Sequence, residues 1–475
     1  MAQVETPHFD SEPPAFGHEM RKCFSFDPDY INMNHGSYGS LPSPVAEAIK
    51  PYYAMAEANP DLFHRFTSID LIRDVRKRMA KFIGAAHTDE VVFVPNASHG
   101  LNNILRDITW EEGDMLCSCN TTYNSISKTA EYISDIPPYP DDPQFTIIFP
   151  TTHTEIIENW RSYLQSLNQT RVKSASKLGR RPKIVAVIDS IISVPGALLP
   201  WQEMVKICKE EDVWSVVDAA HSIGQELDLN LAEADPDFWV TNCHKWLFAK
   251  RSCALLYVPR RNQLILKASF PTSRAYISPK QRNGSNFVEQ FEWNGTMDFV
   301  PYISASCALD FRAWLGGEHV INAYCHRIAI EGGKRLAQIL GTEVIDQEQD
   351  FQFTLNMVNV AVPFPPTISS DFAIDMAFRQ KLLIKKKIYP AFFYHNGKWW
   401  TRCSAQVWSQ VEDFEILGEA MLEACKEIIE EFGDGSEEKP KTSMEDTIEK
   451  LAKTELNDQK VVSVHFNIPS APEKN

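Results

Sequence analysis

Trp214-Ser215-Val216-Val217-Asp218-Ala219-Ala220-His221 and Asp237-Phe238-Trp239-Val240-Thr241-Asn242-Cys243-His244-Lys245 are the two stretches that decide the fold. Each opens as a short apolar run of strand length. The first run ends in an aspartate and a histidine, the second in a histidine and a lysine. Open α/β sheets build their sites beyond the carboxyl ends of the strands. A carboxylate and a lysine delivered there suit a pyridoxal phosphate site. The lysine would hold the aldehyde as a Schiff base, and the aspartate would keep the pyridine nitrogen protonated. A surface lysine and a helix-capping aspartate are the plain alternative for either residue alone. Finding both at strand ends, with two histidines attached, favours the site.

Similar short runs flank this pair. Val91–Val94, Met115–Cys119, 146–149, 184–188 and 254–258 read as further strands, with helical spacing between some of them. The alternation predicts a largely parallel sheet covered by helices. Ahead of it, 44–58 reads as a helix kinked or broken near Pro51, and 69–83 as a stronger amphipathic one. From about residue 305 the pattern changes. Helices over 304–315 and 320–340, strands over 353–362 and 399–404, a helix over 372–385 and a closing helix over Val411–Phe432 predict a smaller α+β unit. The expected division is 1–45 as an N-terminal arm reaching the active site, 46–304 as the large domain, 305–432 as the small domain, and 433–475 as a C-terminal extension. Within the extension, 443–456 has the spacing of one amphipathic helix.

The 475 residues can bury a large core, and 44% hydrophobic with 23% charged content is that of an ordinary globular protein. A formal net charge of −16 argues against a nucleic-acid or anionic-membrane surface. No signal-peptide core or membrane-spanning run is evident, so the cytoplasm is the expected compartment. The 10 cysteines include one Cys-x-Cys, Cys117 and Cys119, with no second pair nearby, which reads as buried thiols and no metal site. Asn96-Ala97-Ser98-His99-Gly100 lies between a strand and a helix, where backbone N–H groups and the Ser98 hydroxyl suit a phosphate. Asn or Ser would also cap that helix, so the motif alone is weak. No glycine-rich nucleotide loop competes for the role.

Taken together, several motifs in order resemble one family. They are Asn34-His35-Gly36-Ser37-Tyr38-Gly39, Phe93-Val94-Pro95-Asn96-Ala97-Ser98, Asp218-Ala219-Ala220-His221, His244-Lys245-Trp246, Asn294-Gly295-Thr296-Met297-Asp298 and Arg402-Cys403-Ser404. The chain is similar to the fold-type I pyridoxal phosphate enzymes of the class V aminotransferase group, which includes cysteine desulfurases and isopenicillin N epimerase. The resemblance runs from Asn32 to about Phe432. It implies an α/β fold, with a mostly parallel seven-stranded sheet in the large domain and a smaller α+β domain. It also implies that Lys245 is the Schiff-base lysine, Asp218 the partner of the ring nitrogen, His221 a contact to the phenolic oxygen, and Ala220 the floor beneath the ring. Ala97, Ser98, Asn242 and His244 would surround the phosphate, and Ser193 would add a polar contact. Thr296 would complete the phosphate site of a second copy, hence a homodimer, although an ordinary turn is its other reading. Tyr123 would stack on the cofactor, or else be a core tyrosine at a strand end. Arg402 would grip a substrate carboxylate, a task that suits a guanidinium. Asn34 and Ser37 would line the same pocket beside Tyr38, or simply form the turn.

These roles serve elimination, epimerisation and transamination alike. Cysteine desulfurases carry a nucleophilic cysteine ahead of the carboxylate-binding arginine, and 388–402 contains none here. The resemblance is greatest to fungal lyases acting on hercynylcysteine sulfoxide. It implies a carbon–sulfur lyase giving a sulfenic acid, pyruvate and ammonia. Tyr38, Tyr123, Trp293, Trp399 and Asp298 are candidates to meet the cationic end of such a substrate. A general cysteine-conjugate lyase and an epimerase are alternatives within the group. A catalytically inactive scaffold is the alternative outside it, and retention of Lys245, Asp218 and Arg402 together argues against that.

Overall fold

The computed structural model describes residues 11–267, 270–273 and 275–432. Its main sheet has seven strands: β1 Val91–Val94, β2 Met115–Cys119, β3 Gln144–Phe145, β4 Ile184–Asp189, β5 Trp214–Asp218, β6 Phe238–Asn242 and β7 Ala254–Tyr257. Their spatial order is β1-β7-β6-β5-β4-β2-β3. Only β7 runs against its neighbours, pairing antiparallel with both β1 and β6, and the remaining pairs are parallel. Five of the strands are buried along their whole length, and their runs are mainly apolar because both faces are covered. Side chains alternate between two cores. Val91, Phe93, Ile184, Ala186, Ile188, Val217, Trp239 and Leu255 point into one, and Val92, Val94, Val185, Val187, Val216, Phe238, Val240 and Leu256 into the other. The layered α/β architecture thus follows from period-two packing of continuous apolar runs.

Beyond the main sheet, strands β8 Met357–Ala361, β9 Ala391–His395 and β10 Lys398–Ser404 form an antiparallel sheet in the order β8-β10-β9. A separate core joins it to helices α1 Glu318–Leu340 and α2 Val411–Phe432, through Val358, Val360, Trp399, Cys403, Leu336, Phe414 and Leu417. The helix Val300–Trp314 crosses the expected boundary at 304/305 and buries Ile303, Cys307 and Phe311 in the core of the large sheet. The expected extension 433–475, with its helix over 443–456, lies outside the described residues. Among the described residues no helix is long and apolar enough to cross a membrane.

Three local expectations are corrected. The helix Ser43–Ala58 is continuous through Pro51. Pro51 sits on the exposed face, so the Glu47 carbonyl that loses an N–H partner there can be met by solvent while Val45, Ile49 and Tyr52 stay buried. Residues 146–149 are not a strand, and sheet pairing occurs one step earlier at Gln144–Phe145. The side-chain amide of Asn120 stands in for a neighbouring strand, accepting from Ile147 N at 2.8 Å and donating to Ile147 O at 3.1 Å. A 26-residue helix, His153–Leu178, was not expected. Its start is fixed by a capping box in which Thr152 and Glu155 bond each other's backbone N–H.

The N-terminal segment joins the two sheets. Ile31–Asn32 pairs parallel with Ile388–Tyr389, and Phe24 packs edge-on against Trp408 at 4.4 Å. It then makes one helical turn, His35–Tyr38, and ends at Gly39 with φ +67°. A Cβ there would lie 1.7 Å from the His244 carbonyl oxygen, so only glycine lets the arm approach the lysine loop. Arg251 closes the contact, donating to the carbonyls of Tyr38 at 3.1 Å and Gly39 at 2.7 Å. Gly39→Ala should therefore cost about 2–4 kcal/mol of stability. It should also free the arm, read as a lowered Tm and faster proteolytic cleavage before residue 45. An unchanged melting curve would contradict this reading of the contact.

Candidate active site

Loops leaving the carboxyl ends of β1, β2, β4, β5 and β6 converge on one cleft of about 200 Å³, and Ser37 and Tyr38 of the arm close one side. After β1, the helix Ala97–Asp107 starts at the cleft. Asn96 caps it by accepting from His99 N at 2.8 Å, and Asn242 on β6 accepts from Ala97 N at 2.9 Å. The Ser98 backbone N–H and hydroxyl remain at the cleft wall, the arrangement that receives a phosphate at a helix start. His244 donates from Nδ1 to the Cys253 carbonyl at 3.1 Å, which leaves Nε2 for the cleft.

Opposite this end, Asp218 closes β5. Its Oδ1 accepts from Ala220 N at 3.0 Å. Burial pushes its carboxyl up to about 6, opposed by that bond and then by Lys245. Asp189 ends β4 in register with Asp218 across the parallel pair and lines the same cleft. In-register neighbours on adjacent strands point to the same face about 5 Å apart. Burial and then the Asp218 charge push Asp189 well above the usual carboxylate range, with the Thr122 hydroxyl acting against them. Burial and mutual repulsion favour a shared proton on the pair, and we place it on Asp189 because the Ala220 N–H stabilises the charge on Asp218.

Lys245 is buried within the cleft. Burial first, and the Arg402 guanidinium second, lower its amine to about 7, while Asp218 acts to raise it. The amine lies 3.0 Å from His221 Nε2. His221 itself is kept neutral by burial and then by Lys245, with its ordinary value driven well down. An uncharged amine beside a neutral imidazole is the state in which a lysine can attack an aldehyde or take a proton from carbon.

Arg402, on β10, is buried behind Ser37 and Ser193. Its Nη1 donates to the Ser193 carbonyl at 2.8 Å, and its Nη2 donates to Asn34 Oδ1 at 2.6 Å and Ser37 Oγ at 3.0 Å. No carboxylate pairs with it among the described residues, and its Nε–H is buried without a partner. Burial lowers it only to about 10, so the guanidinium remains charged at neutral pH. A buried, unpaired guanidinium with a free donor calls for a carboxylate.

Of the residues singled out from the sequence, Ser37, Tyr38, Ala97, Ser98, Tyr123, Ser193, Asp218, Ala220, His221, Asn242, His244 and Lys245 line the cleft, and Asn34 and Arg402 stand directly behind it. Thr296 is exposed and does not line the cleft of its own chain. Trp399 is a core residue of the small sheet, donating to Ser369 O at 3.2 Å. Asp298 accepts from the Tyr53 hydroxyl at 3.1 Å, and Trp293 packs on Phe299. Neither lines the cleft. Asp189 was missed, although it ends its strand in the same way as Asp218.

A helix-start phosphate seat, an acid pair, and a neutral lysine between them fit pyridoxal phosphate. The aminotransferase class-V family pattern matches residues 37–135 and 161–364. An L-cysteine desulfhydrase-like protein, lolT1, of Epichloe uncinata is 32% identical, over 87% of this chain and 97% of its own. Hercynylcysteine sulfoxide lyase of Schizosaccharomyces pombe is 30% identical, over 87% of this chain and 99% of its own. Among solved structures, a cystine C–S lyase, C-DES, in complex with its product cysteine persulfide superposes with a TM-score of 0.67 at 16% identity, covering 83% of this chain and 97% of that one.

The neutral amine predicts a titration. Reaction of cofactor-free protein with pyridoxal phosphate, trapped on Lys245 by borohydride and read by mass, should accelerate about tenfold per pH unit and level off above about 7. Arg402→Gln removes a neighbouring positive charge and should move that break upward. A break near the ordinary lysine value in the unsubstituted protein would contradict the burial argument.

Proposed function

The chain belongs to the class V aminotransferase family as a pyridoxal-phosphate-dependent carbon–sulfur lyase, and we propose that its substrate is hercynylcysteine sulfoxide. The observation that carries an amino-acid substrate is the buried Arg402 guanidinium, unpaired and joined to the cleft through Ser37 and Ser193. Ser98, Asn242 and His244 would hold the cofactor phosphate, Asp218 would face its ring nitrogen, and Lys245 would carry its aldehyde. Bound pyridoxal phosphate supplies an electron sink for a carbanion at the substrate Cα. In this reading Arg402 binds the α-carboxylate, held in place by Asn34 and Ser37. Lys245, whose amine burial lowers to about 7 so that a large share is uncharged at neutral pH, removes the Cα proton. The Cβ–S bond then breaks, and its electron pair leaves with sulfur as a sulfenate that takes up a proton. Hydrolysis of the three-carbon remainder gives pyruvate and ammonia.

Two features support the sulfoxide over a persulfide route. All the cysteines are buried free thiols, and Cys403, the one beside Arg402, is pushed up to about 12 by burial. The cleft mouth instead carries two large aromatics, Tyr38 at 72% and Tyr123 at 48% exposure. Such rings suit a trimethylammonium group by cation–π attraction. The proposal includes a cytoplasmic homodimer in which the exposed Thr296 serves the cleft of a second copy. Desulfhydrase names among the relatives favour one second reading, a general cysteine-conjugate lyase.

Pyruvate release from hercynylcysteine sulfoxide, L-cysteine and S-alkylcysteine sulfoxides separates the readings. The hercynyl substrate should lead in kcat/KM, and Tyr38→Ala should weaken it alone by about 1 kcal/mol, roughly fivefold in KM. Equal rates on all cysteine conjugates would establish the general lyase. Exchange of the Cα proton without pyruvate would establish an epimerase.

A further inference from the structure

Trp246 follows Lys245 in sequence and is fully buried. Its indole Nε1–H donates to His221 Nδ1 at 3.1 Å, while His221 Nε2 faces the Lys245 amine at 3.0 Å. An indole nitrogen can only donate. His221 Nδ1 must therefore present its lone pair, and the single proton of the neutral ring sits on Nε2. We propose that Trp246 is a positioning residue that locks His221 in its Nε2–H tautomer, so that the ring always aims one proton into the cleft beside Lys245.

The indole is itself held. Arg312 donates from Nη1 to the Trp246 carbonyl at 2.7 Å and from Nη2 to the Gly224 carbonyl at 3.1 Å, and Glu318 pairs with the same guanidinium at 2.5 Å. The His35 ring meets the indole edge-on at 5.1 Å, and His35 Nε2 lies 2.9 Å from the Lys245 carbonyl. The two residues of the Lys245-Trp246 pair are thereby fixed at both carbonyls, and the indole has no room to release the imidazole. Without the indole, the ring is free to place its proton on Nδ1. A bare Nε2 would then face the cleft, able only to accept a hydrogen bond where the natural ring donates one. The direction of this hydrogen bond is a property of Trp246 rather than of His221. The inference rests on the pyridoxal phosphate reading for its catalytic consequence, but not on the identity of the substrate.

The test is the ring ¹⁵N spectrum of the purified protein labelled at histidine, with His221→Gln used to identify the His221 signals. In the natural sequence, His221 should show a protonated Nε2 and a bare Nδ1 at neutral pH. In Trp246→Phe, proton density should move to Nδ1, the cofactor absorption should be displaced, and kcat should fall about tenfold with KM changed far less, as expected for one lost neutral hydrogen bond. A protonated Nδ1 in the natural sequence would overturn the proposal even if the variant failed to fold. An unchanged His221 tautomer in a folded Trp246→Phe protein would overturn it as well. Failure of every lyase substrate alongside the expected tautomers would count against the substrate reading alone.

Discussion

Removing the Lys245 amine from water is the constraint to which the rest of the structure answers. A buried ammonium costs several kcal/mol unless a partner compensates it. Here the pull of the Asp218 carboxylate is outweighed by burial and by the Arg402 guanidinium, which keeps its proton at neutral pH. The amine yields instead and becomes neutral near pH 7. Arg402 is stabilised by neutral oxygens from Asn34, Ser37 and Ser193, so its charge is not cancelled before a carboxylate arrives. The acid pair obeys the same logic. Two carboxylates in register at adjacent strand ends cannot both ionise in a buried site, and Asp189 takes the proton that Asp218 gives up.

None of this exists until the chain is fully assembled. The cleft draws on residues from Asn34 to Arg402, and the contacts that set its charges cross most of the sequence. Gly39 must slide beneath the His244 carbonyl before Ser37 can reach Arg402. The Arg402 stem passes Gly196, where a Cβ would lie 3.0 Å from its Cγ and Cδ, and Asn359 on β8 pins Gly196 through both N–H and C=O. The small sheet thereby delivers one arginine into a site otherwise built by the large sheet. Its position depends on packing between them, not on any local motif.

What was legible in the sequence follows from that division. The strands of the large sheet were readable because continuous apolar runs sit between two cores, and β2 was read to the residue. The chemistry at the ends of β5 and β6 was readable for the same reason, since an acid or a lysine after such a run has few structural excuses. Asp189 obeys the same rule, but the apolar run ahead of it stops at Ile188, so composition alone leaves the aspartate outside the strand. The helix His153–Leu178 escaped because it buries a thin stripe, Ile156, Trp160, Leu164 and Leu167, on an otherwise polar surface. The signal that would have found it was Thr152 with Glu155 three residues on. The false strand at 146–149 had the right composition, and only the fold reveals that Asn120 already occupies its hydrogen bonds. Trp399 looked available for a substrate cation, but three residues along a strand puts it on the face opposite Arg402, with Cys403 in the core of the small sheet.

The thiols limit what can happen to sulfur. A guanidinium next to Cys403 ought to favour a thiolate, yet burial outweighs it and pushes the thiol up to about 12. At pH 7 a thiol with that value is ionised in roughly one molecule in 10⁵. The remaining cysteines are also buried and none of them lines the cleft, so no thiol there can take up sulfur. Without an acceptor thiol, β-elimination releases the sulfur fragment into solution, carrying the bonding pair with it. An oxidised sulfur does this better than a thioether because its oxygen takes up the developing charge. The proposed sulfoxide substrate fits a cleft lined by no cysteine, because its departing sulfur needs no thiol to receive it.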